Sequence, residues 1–199
     1  LEVVLQTWPH VDALMEDMGS LCREPVDQAG RAGTLGELVE SIQKQIGEAL
    51  KSLANGWGEK ARQLESWLDG QLETNKSAWN GQKLKPSNYK GWLQTLRSWA
   101  DAPHPDLADQ MKTGATRLLP AGLEDARKGD VPVSIPAESH ALAELLEELS
   151  KLPNLSVALR MHAAAQVQKR LQFLKRQAGT FGFADMLERL DTALSGENG

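Results

Sequence analysis

Apolar residues recur at helical spacing along almost the whole chain, and no other feature limits its possible folds as strongly. Between Leu35 and Leu72 they follow mixed steps of three and four residues, which is the spacing of one face of a long helix. β-Branched residues cluster only at 3–4 and 131–135, and prolines flank or interrupt the second cluster. The sequence therefore predicts an all-α fold.

The most prominent predicted element is a long, arm-like helix over 34–78. Thr34 followed three residues later by Glu37 is a capping-box signature for its start. Gly56 and Gly58 predict a bend, because each glycine inside a helix costs about 1 kcal/mol relative to alanine.

The other predicted helices are shorter, and together they fit a single helical domain over 1–199 with C-terminal helices over 155–194. Ser87 is the predicted cap of one of them. The segment 120–136 is expected to be irregular. Helical spacing predicts the helices 10–21, 87–99, 137–151, 155–177 and 183–194, and a short one within 105–119.

Composition excludes several classes of protein. The chain carries 22 Lys and Arg against 27 Asp and Glu, a net charge of −5, so it has no histone-like coat of positive charge. Hydrophobic residues make up 41%, too many for a disordered chain. The one cysteine, Cys22, excludes an internal disulfide framework and Cys-rich zinc modules. No apolar run reaches the ~20 residues that span a bilayer, so no membrane partner is expected. Because the chain opens on Leu1, we expect it to be a piece of a longer protein.

Motifs that would mark an enzyme are missing from the sequence. A phosphate-binding G-x-x-x-x-G-K-[ST] loop is absent, since 47–52 lacks the second glycine, and G-x-G-x-x-G is absent too. The acidic residues at 144–148 share helical spacing, as on most solvated helix faces, which disfavours a catalytic carboxylate pair. We predict no catalytic, cofactor-binding or metal-binding residue. The histidines are scattered singly and are expected to be surface or hydrogen-bonded residues: His10, His104, His140 and His162.

Positive charge is concentrated in two windows that contain no acidic residue. The first basic window (74–100) holds five cations and the second basic window (151–184) holds six. Cations interleaved with aromatic and polar residues suit phosphate contacts, because each neutralised phosphate releases a counterion. Solvated helix faces, or partners for carboxylates elsewhere in a parent protein, explain the same pattern. The DNA-binding candidates are Lys76, Lys83, Lys85, Lys90, Arg97, Arg160, Lys169, Arg170, Lys175 and Arg176.

All six tryptophans lie in the first half of the chain. Helical proteins commonly use tryptophan as a core wedge, and we favour that role over a ligand-binding aromatic cage. Trp92 is predicted to lie in the core. For Trp79 both a core position and stacking on a base stay open.

The stretch 182–190 carries the most specific motif of the chain. It contains Gly182, Phe183, Asp185, Met186, Leu187, Arg189 and Leu190. These residues resemble the pattern Gly-Phe-Asp-Asp-Met-Leu-x-Arg-Leu of the RecB family, the beta subunit of exodeoxyribonuclease V. Ala184 stands where that family has the first Asp of the pattern. Two upstream stretches, 3–8 and 85–100, also look like the family.

The resemblance implies the helical 1B subdomain that is inserted in the first RecA-like motor domain of a UvrD-like superfamily 1 helicase. In that family the Walker A lysine precedes the insertion, the Walker B motif follows it, and the nuclease centre lies in a separate domain. ATP and Mg²⁺ would therefore belong to the parent, and this chain would hold no cofactor. The helices at 155–194 would return to the motor domain.

The implied role is to grip duplex DNA ahead of the fork during recombinational double-strand break repair in the bacterial cytoplasm. The implied partners are DNA and the gamma and alpha subunits of exodeoxyribonuclease V.

Two other function classes compete with this interpretation. A helical protein–protein module could receive a partner helix along the apolar stripe of 35–72, and surplus exposed apolar surface there would favour it. A stand-alone enzyme is the least favoured class, and ATP hydrolysis by the isolated chain would support it.

Overall fold

The computed structural model describes residues 2–23, 33–129, 133–179 and the single residues 186, 187, 190 and 194. Within this part of the chain the secondary structure is helical, with no strand and only an isolated antiparallel bridge between Trp79 and Arg127. The predicted all-α fold is confirmed. The helices are α1 (Glu2–Thr7), α2 (Val11–Leu21), α3 (Leu35–Ala54), α4 (Trp57–Thr74), α5 (Pro86–Asp101), α6 (Leu107–Met111), α7 (Gly114–Arg117), α8 (Pro120–Asp125), α9 (Ala137–Ser150) and α10 (Leu155–Ala178), with a 3-10 turn at Lys76–Ala78.

The chain forms two compact units. One comprises 1–42 together with 154–199, and the other comprises 43–153. We call them the terminal unit and the central unit. The predicted domain limits, 1–199 as one domain and 155–194 as its return to a motor domain, stay predictions.

The segment 34–78 is largely helical as predicted, but it is divided into two helices at Gly56, one of the two glycines where a bend is predicted. Gly56 has a φ of 79°, in the left-handed region where a helix cannot continue, and it separates α3 from α4. The predicted capping box is confirmed at the start of α3. The Glu37 amide donates to the Thr34 hydroxyl at 3.3 Å, and the Thr34 amide donates to the Glu37 carboxylate at 2.7 Å.

Two sequence predictions are wrong, one of them in part, for one reason, which is that proline favours the first position of a helix. The segment 120–136 is expected to be irregular, yet Pro120 opens α8, so the expectation fails for 120–125 and agrees with the described residues from 126 to 136. Ser87 does not cap α5, because Pro86 occupies the first turn and Lys85 is the N-cap residue. The short helix expected within 105–119 is present as two, α6 and α7.

The core of the central unit lies between α4 and α5, with α6 to α9 packed around them. Leu64 of α4 and Leu93 of α5 are fully buried. Trp79 is 2% exposed and meets Trp67 edge to face at 5.8 Å between ring centroids. Trp79 is therefore a core residue, and so is Trp99, whose indole N–H donates to the His104 carbonyl at 2.7 Å. Trp92 is half-buried against the same core, which agrees with its predicted place.

In the terminal unit, α10 packs against α1 and α2. The cluster is built around Trp8 and Leu159, which are buried. Asp17 ties the elements together, because it accepts from the Trp8 indole at 2.8 Å and pairs with Arg160 at 2.9 Å. Leu35 of α3 packs against the same cluster.

Candidate nucleic-acid interface

The first basic window is neutralised in part by Asp125, the last residue of α8. The Lys83 ammonium lies 2.9 Å from the Asp125 carboxylate and also donates to its backbone carbonyl at 2.9 Å. Arg117 approaches the other carboxylate oxygen at 2.6 Å. Hydrogen bonds from Lys83 and then Arg117 hold the pKa of the Asp125 carboxyl below its ordinary value. Lys83 is therefore paired with a carboxylate at the junction with α8.

Helix α4 supplies acids to the cations of α5. Lys90 lies 3.1 Å from Asp69, and Arg97 pairs with Glu65. The Tyr89 hydroxyl donates to Asp69 at 2.5 Å. Of the five cations in the first basic window, only Lys76 and Lys85 have no carboxylate within 4.0 Å in the part of the chain that the structure describes, and both are exposed.

These contacts predict the effect of replacing Tyr89 with phenylalanine. The hydrogen bond from Tyr89, followed by the contacts of Lys90, holds the pKa of Asp69 below its usual range. A carboxylate whose pKa is lowered by folding contributes stability above its unfolded pKa, and the contribution is lost as the pH falls through its folded pKa. We expect Tyr89→Phe to lower the free energy of unfolding by about 1 kcal/mol at pH 7, a modest loss because Asp69 is partly solvated. The loss should be smaller at an acid pH below the pKa of Asp69 in both the folded and the unfolded protein.

Urea unfolding at the two pH values, followed by tryptophan fluorescence, measures this difference. Asp69→Asn is the control. It removes the titrating carboxylate, so its free energy of unfolding should lack the part of the pH dependence that Asp69 contributes. An equal Tyr89→Phe penalty at both pH values would contradict the assignment.

The cations at the start of the second basic window are also paired. Arg160 contacts Asp17 of α2, and Lys151 contacts Glu147 and Glu148 at 2.7 and 2.9 Å. The carboxylates of α9 otherwise face solvent, as expected of a solvated helix face.

The far end of α10 differs from the rest of both windows. Every residue from 169 to 179 is exposed, and α10 contains no acidic residue. Lys169, Phe173 and Arg176 share one face, since they are spaced by four and three residues. The Arg170 guanidinium lies over the Phe173 ring, 5.2 Å from its centroid. We call 169–176 the basic end of α10.

No described carboxylate forms an ion pair with Lys169, Arg170 or Arg176, so this cluster keeps its positive charge. Lys175 is also exposed and lies in the same stretch. Sequence reasoning included these four cations but missed Phe173. Its spacing from Lys169 and Arg170 on one helix was the available signal.

The RecB-like motif falls mostly outside the described residues. Met186, Leu187 and Leu190 are helical and half or more exposed, at 54%, 50% and 56%. Gly182, Phe183, Asp185 and Arg189, together with most of the predicted helix 183–194, lie outside the part that the structure describes.

The described residues contain no group of three or more His, Cys, Asp or Glu side chains that could hold a metal ion. His10 acts as the N-cap of α2, accepting from the Ala13 amide at 3.1 Å. His162 is buried, so it is not a surface histidine, and its Nδ1 has no hydrogen-bond partner among the described residues. None of the helices within the described ranges is long and apolar enough to cross a membrane.

Comparison with known proteins shows that this chain is similar to a subunit of the RecBCD enzyme. No protein-family model matches the sequence. The chain is 24% identical over 201 residues to the RecBCD enzyme subunit RecB of Escherichia coli strain K12. The alignment covers 100% of this chain and 16% of that relative, so the chain spans only a small part of its length. This similarity supports a relationship to RecB.

Proposed function

We propose that this chain is a non-catalytic, DNA-binding part of an ATP-dependent helicase–nuclease related to RecB, acting in recombinational double-strand break repair. The observation that carries the proposal is the basic end of α10, an exposed cluster of cations around an aromatic ring with no acidic residue on its helix. The similarity to RecB over the full length of the chain supports the same function.

The chemistry of this surface favours the DNA backbone over base edges. Lysine and arginine neutralise phosphates, and an aromatic face with a stacked guanidinium accepts bases without selecting among them. Contacts of this kind hold duplex or forked DNA with little sequence preference and weaken steeply with salt. A helix that holds DNA while a separate motor domain moves it must bind any sequence, and phosphate contacts without base selection allow this.

The test removes three cations of the basic end of α10 that have no carboxylate partner among the described residues. The triple variant carries Lys169→Ala, Arg170→Ala and Arg176→Ala. We expect its affinity for a labelled forked duplex, measured by fluorescence anisotropy at low salt, to be at least tenfold lower than that of the unaltered chain. The slope of log K against log salt should become shallower by about 2 to 3, because each lost phosphate contact removes about 0.9.

A matched variant separates a local effect from a loss of net charge. Lys44→Ala, Lys51→Ala, Lys112→Ala removes the same charge from exposed positions outside the basic end. It should bind DNA nearly as tightly as the unaltered chain. Equal weakening in both variants, or none in the first, would contradict the assignment of DNA binding to α10.

The wider setting belongs to the same proposal. As a 1B-like insertion, the chain would grip duplex DNA ahead of the fork while its parent binds ATP and Mg²⁺ in the bacterial cytoplasm. Gamma and alpha exonuclease V subunits are the proposed partners of that parent. ATP hydrolysis by the 199-residue chain alone would count against this division of labour.

Binding of a partner subunit is the second candidate function. The apolar stripe of 35–72 does not support it. Within the central unit, Leu50, Trp57, Leu64 and Leu68 of that stripe are buried in the core, so they are not offered to a partner helix. Large exposed apolar side chains are found instead in α1, α2, α10 and the C-terminal residues that the structure describes. They are Leu5, Val11, Met15, Val157, Leu171, Phe173, Leu174, Met186, Leu187, Leu190 and Leu194.

Leu187→Gln, Leu190→Gln tests this second candidate. It should weaken binding of the chain to a purified gamma-type subunit while leaving DNA binding unchanged. Unchanged subunit binding would count against it.

A further inference from the structure

We propose that a groove in the central unit binds one nucleotide, as a free deoxynucleoside 5′-phosphate or as a unit of a DNA strand. The groove lies between α4, the start of α5 and the segments joined by the Trp79–Arg127 bridge, and its volume is about 600 Å³. Small-molecule sites usually enclose about 300–1,000 Å³. The groove shares no residue with the basic end of α10. Binding of a DNA strand in the groove rests on the proposed function, whereas binding of a free nucleotide does not.

Backbone pairing joins two segments that each contribute a lysine to the lining of the groove. The Asn80 amide donates to the Ala126 carbonyl at 2.8 Å, and the Lys128 amide donates to the Ala78 carbonyl at 2.7 Å. These bonds tie the segment that follows Lys76 to the segment that ends in Lys128. Both lysines line the groove and are exposed, and neither meets a carboxylate within 4.0 Å in the described ranges. Two such ammonium groups suit a phosphate.

The other charged groups of the lining are one lysine and two carboxylates, so their sum is negative. Lys90 and Asp69 form an ion pair there, and Asp69 is held by Tyr89. Glu73 adds a carboxylate. These groups offer donors and acceptors to the polar edge of a base, but their net negative charge disfavours a phosphate beside them. The phosphate is therefore expected on the Lys76 and Lys128 side.

The apolar part of the lining suits the planar face of a base. It comes from Leu72, Leu84 and Pro86, with Trp79 behind them. The Trp79 indole N–H is buried and has no hydrogen-bond acceptor among the described residues. A buried donor without an acceptor costs about 1–3 kcal/mol, so an oxygen of a ligand that reaches it would gain a full hydrogen bond. A peptide carboxylate would use the lysines but not the apolar wall, which is why a nucleotide is favoured.

The test follows the indole N–H signals of the 199-residue chain by two-dimensional ¹⁵N NMR during titration with thymidine 5′-monophosphate. Trp79→Phe identifies the Trp79 signal by its disappearance. We expect that signal to shift to saturation with the nucleotide. Lys76→Ala, Lys128→Ala should weaken binding at least tenfold, while the control Lys44→Ala, Lys51→Ala should leave it unchanged.

Three further ligands identify what the groove recognises. Thymidine without phosphate should bind at least tenfold more weakly, and inorganic phosphate should not reproduce the shift. A short oligothymidylate that shifts the signal indicates the DNA strand as the source, and a shift with the mononucleotide alone indicates a free nucleotide.

The inference is overturned if the nucleotide does not shift the Trp79 signal, if thymidine binds equally well, or if phosphate alone gives the full shift. Its failure is distinguishable from failure of the DNA-binding proposal. The variant lacking the α10 cations should keep the nucleotide-induced shift, and the Lys76→Ala, Lys128→Ala variant should keep the salt-dependent binding to forked DNA that α10 provides.

Discussion

Replacing Gly122 with alanine is expected to lower the free energy of unfolding of the central unit by about 3 kcal/mol. Gly122 lies in α8, where the chain folds back on α7. A Cβ atom at this position would overlap the backbone oxygen of Thr116 and the Cα atom of Arg117. Because these are backbone atoms, no side chain can rotate away, and α8 must separate from α7.

Chemical unfolding followed by tryptophan fluorescence is a suitable measurement, because five of the six tryptophans lie between 43 and 153. Gly70→Ala is the matched control. It lies inside α4 with no atom within 4 Å of the added methyl group, so it should raise the stability by up to about 1 kcal/mol. A loss in both variants, or in neither, would contradict the close approach at Gly122.

The Gly122 substitution also has a consequence for charge. Asp125 is the last residue of α8 and holds both Lys83 and Arg117. Moving α8 would break these two ion pairs, so Lys83 and Arg117 should both lose their carboxylate partner in the Gly122→Ala variant.

Helix positions could be predicted from the sequence wherever a single apolar face decides the structure. The predicted helices 137–151 and 155–177 agree closely with α9 and α10, because buried leucines such as Leu142 and Leu145 recur at helical spacing. The prediction over 34–78 missed the separation into two helices. A glycine can continue a helix with a bend or end it with a positive φ, and spacing alone does not distinguish these outcomes.

The basic windows show what the sequence could not reveal. Both windows lack acids along the chain, yet acids from outside the windows pair with several of their cations in the folded protein. Lys83 meets Asp125, 42 positions later, and Arg97 meets Glu65, 32 positions earlier. Long-range pairs of this kind depend on helix packing. The contact between Arg170 and Phe173 lies within one helix turn and was accessible to sequence reasoning.

Leu64→Ala is expected to destabilise the central unit by about 3–5 kcal/mol, a large fraction of the stability of an ordinary domain. Leu64 is fully buried in α4, at the centre of the core shared with α5. Removing three carbon atoms there loses their transfer free energy and leaves a cavity that helices on both sides can close only in part. Urea unfolding followed by tryptophan fluorescence measures the loss.

Leu64→Met is the control, because a substitution of nearly equal volume should cost less than about 1.5 kcal/mol. The same two variants also test whether packing in the core determines the structure of the groove. Asp69 follows Leu64 along α4, and its bond to Tyr89 holds α4 against α5 at the groove. Leu64→Ala should therefore broaden or shift the Trp79 indole signal, whereas Leu64→Met should leave it nearly unchanged. If Leu64→Ala unfolds with unaltered stability, the α4–α5 core described above cannot be correct.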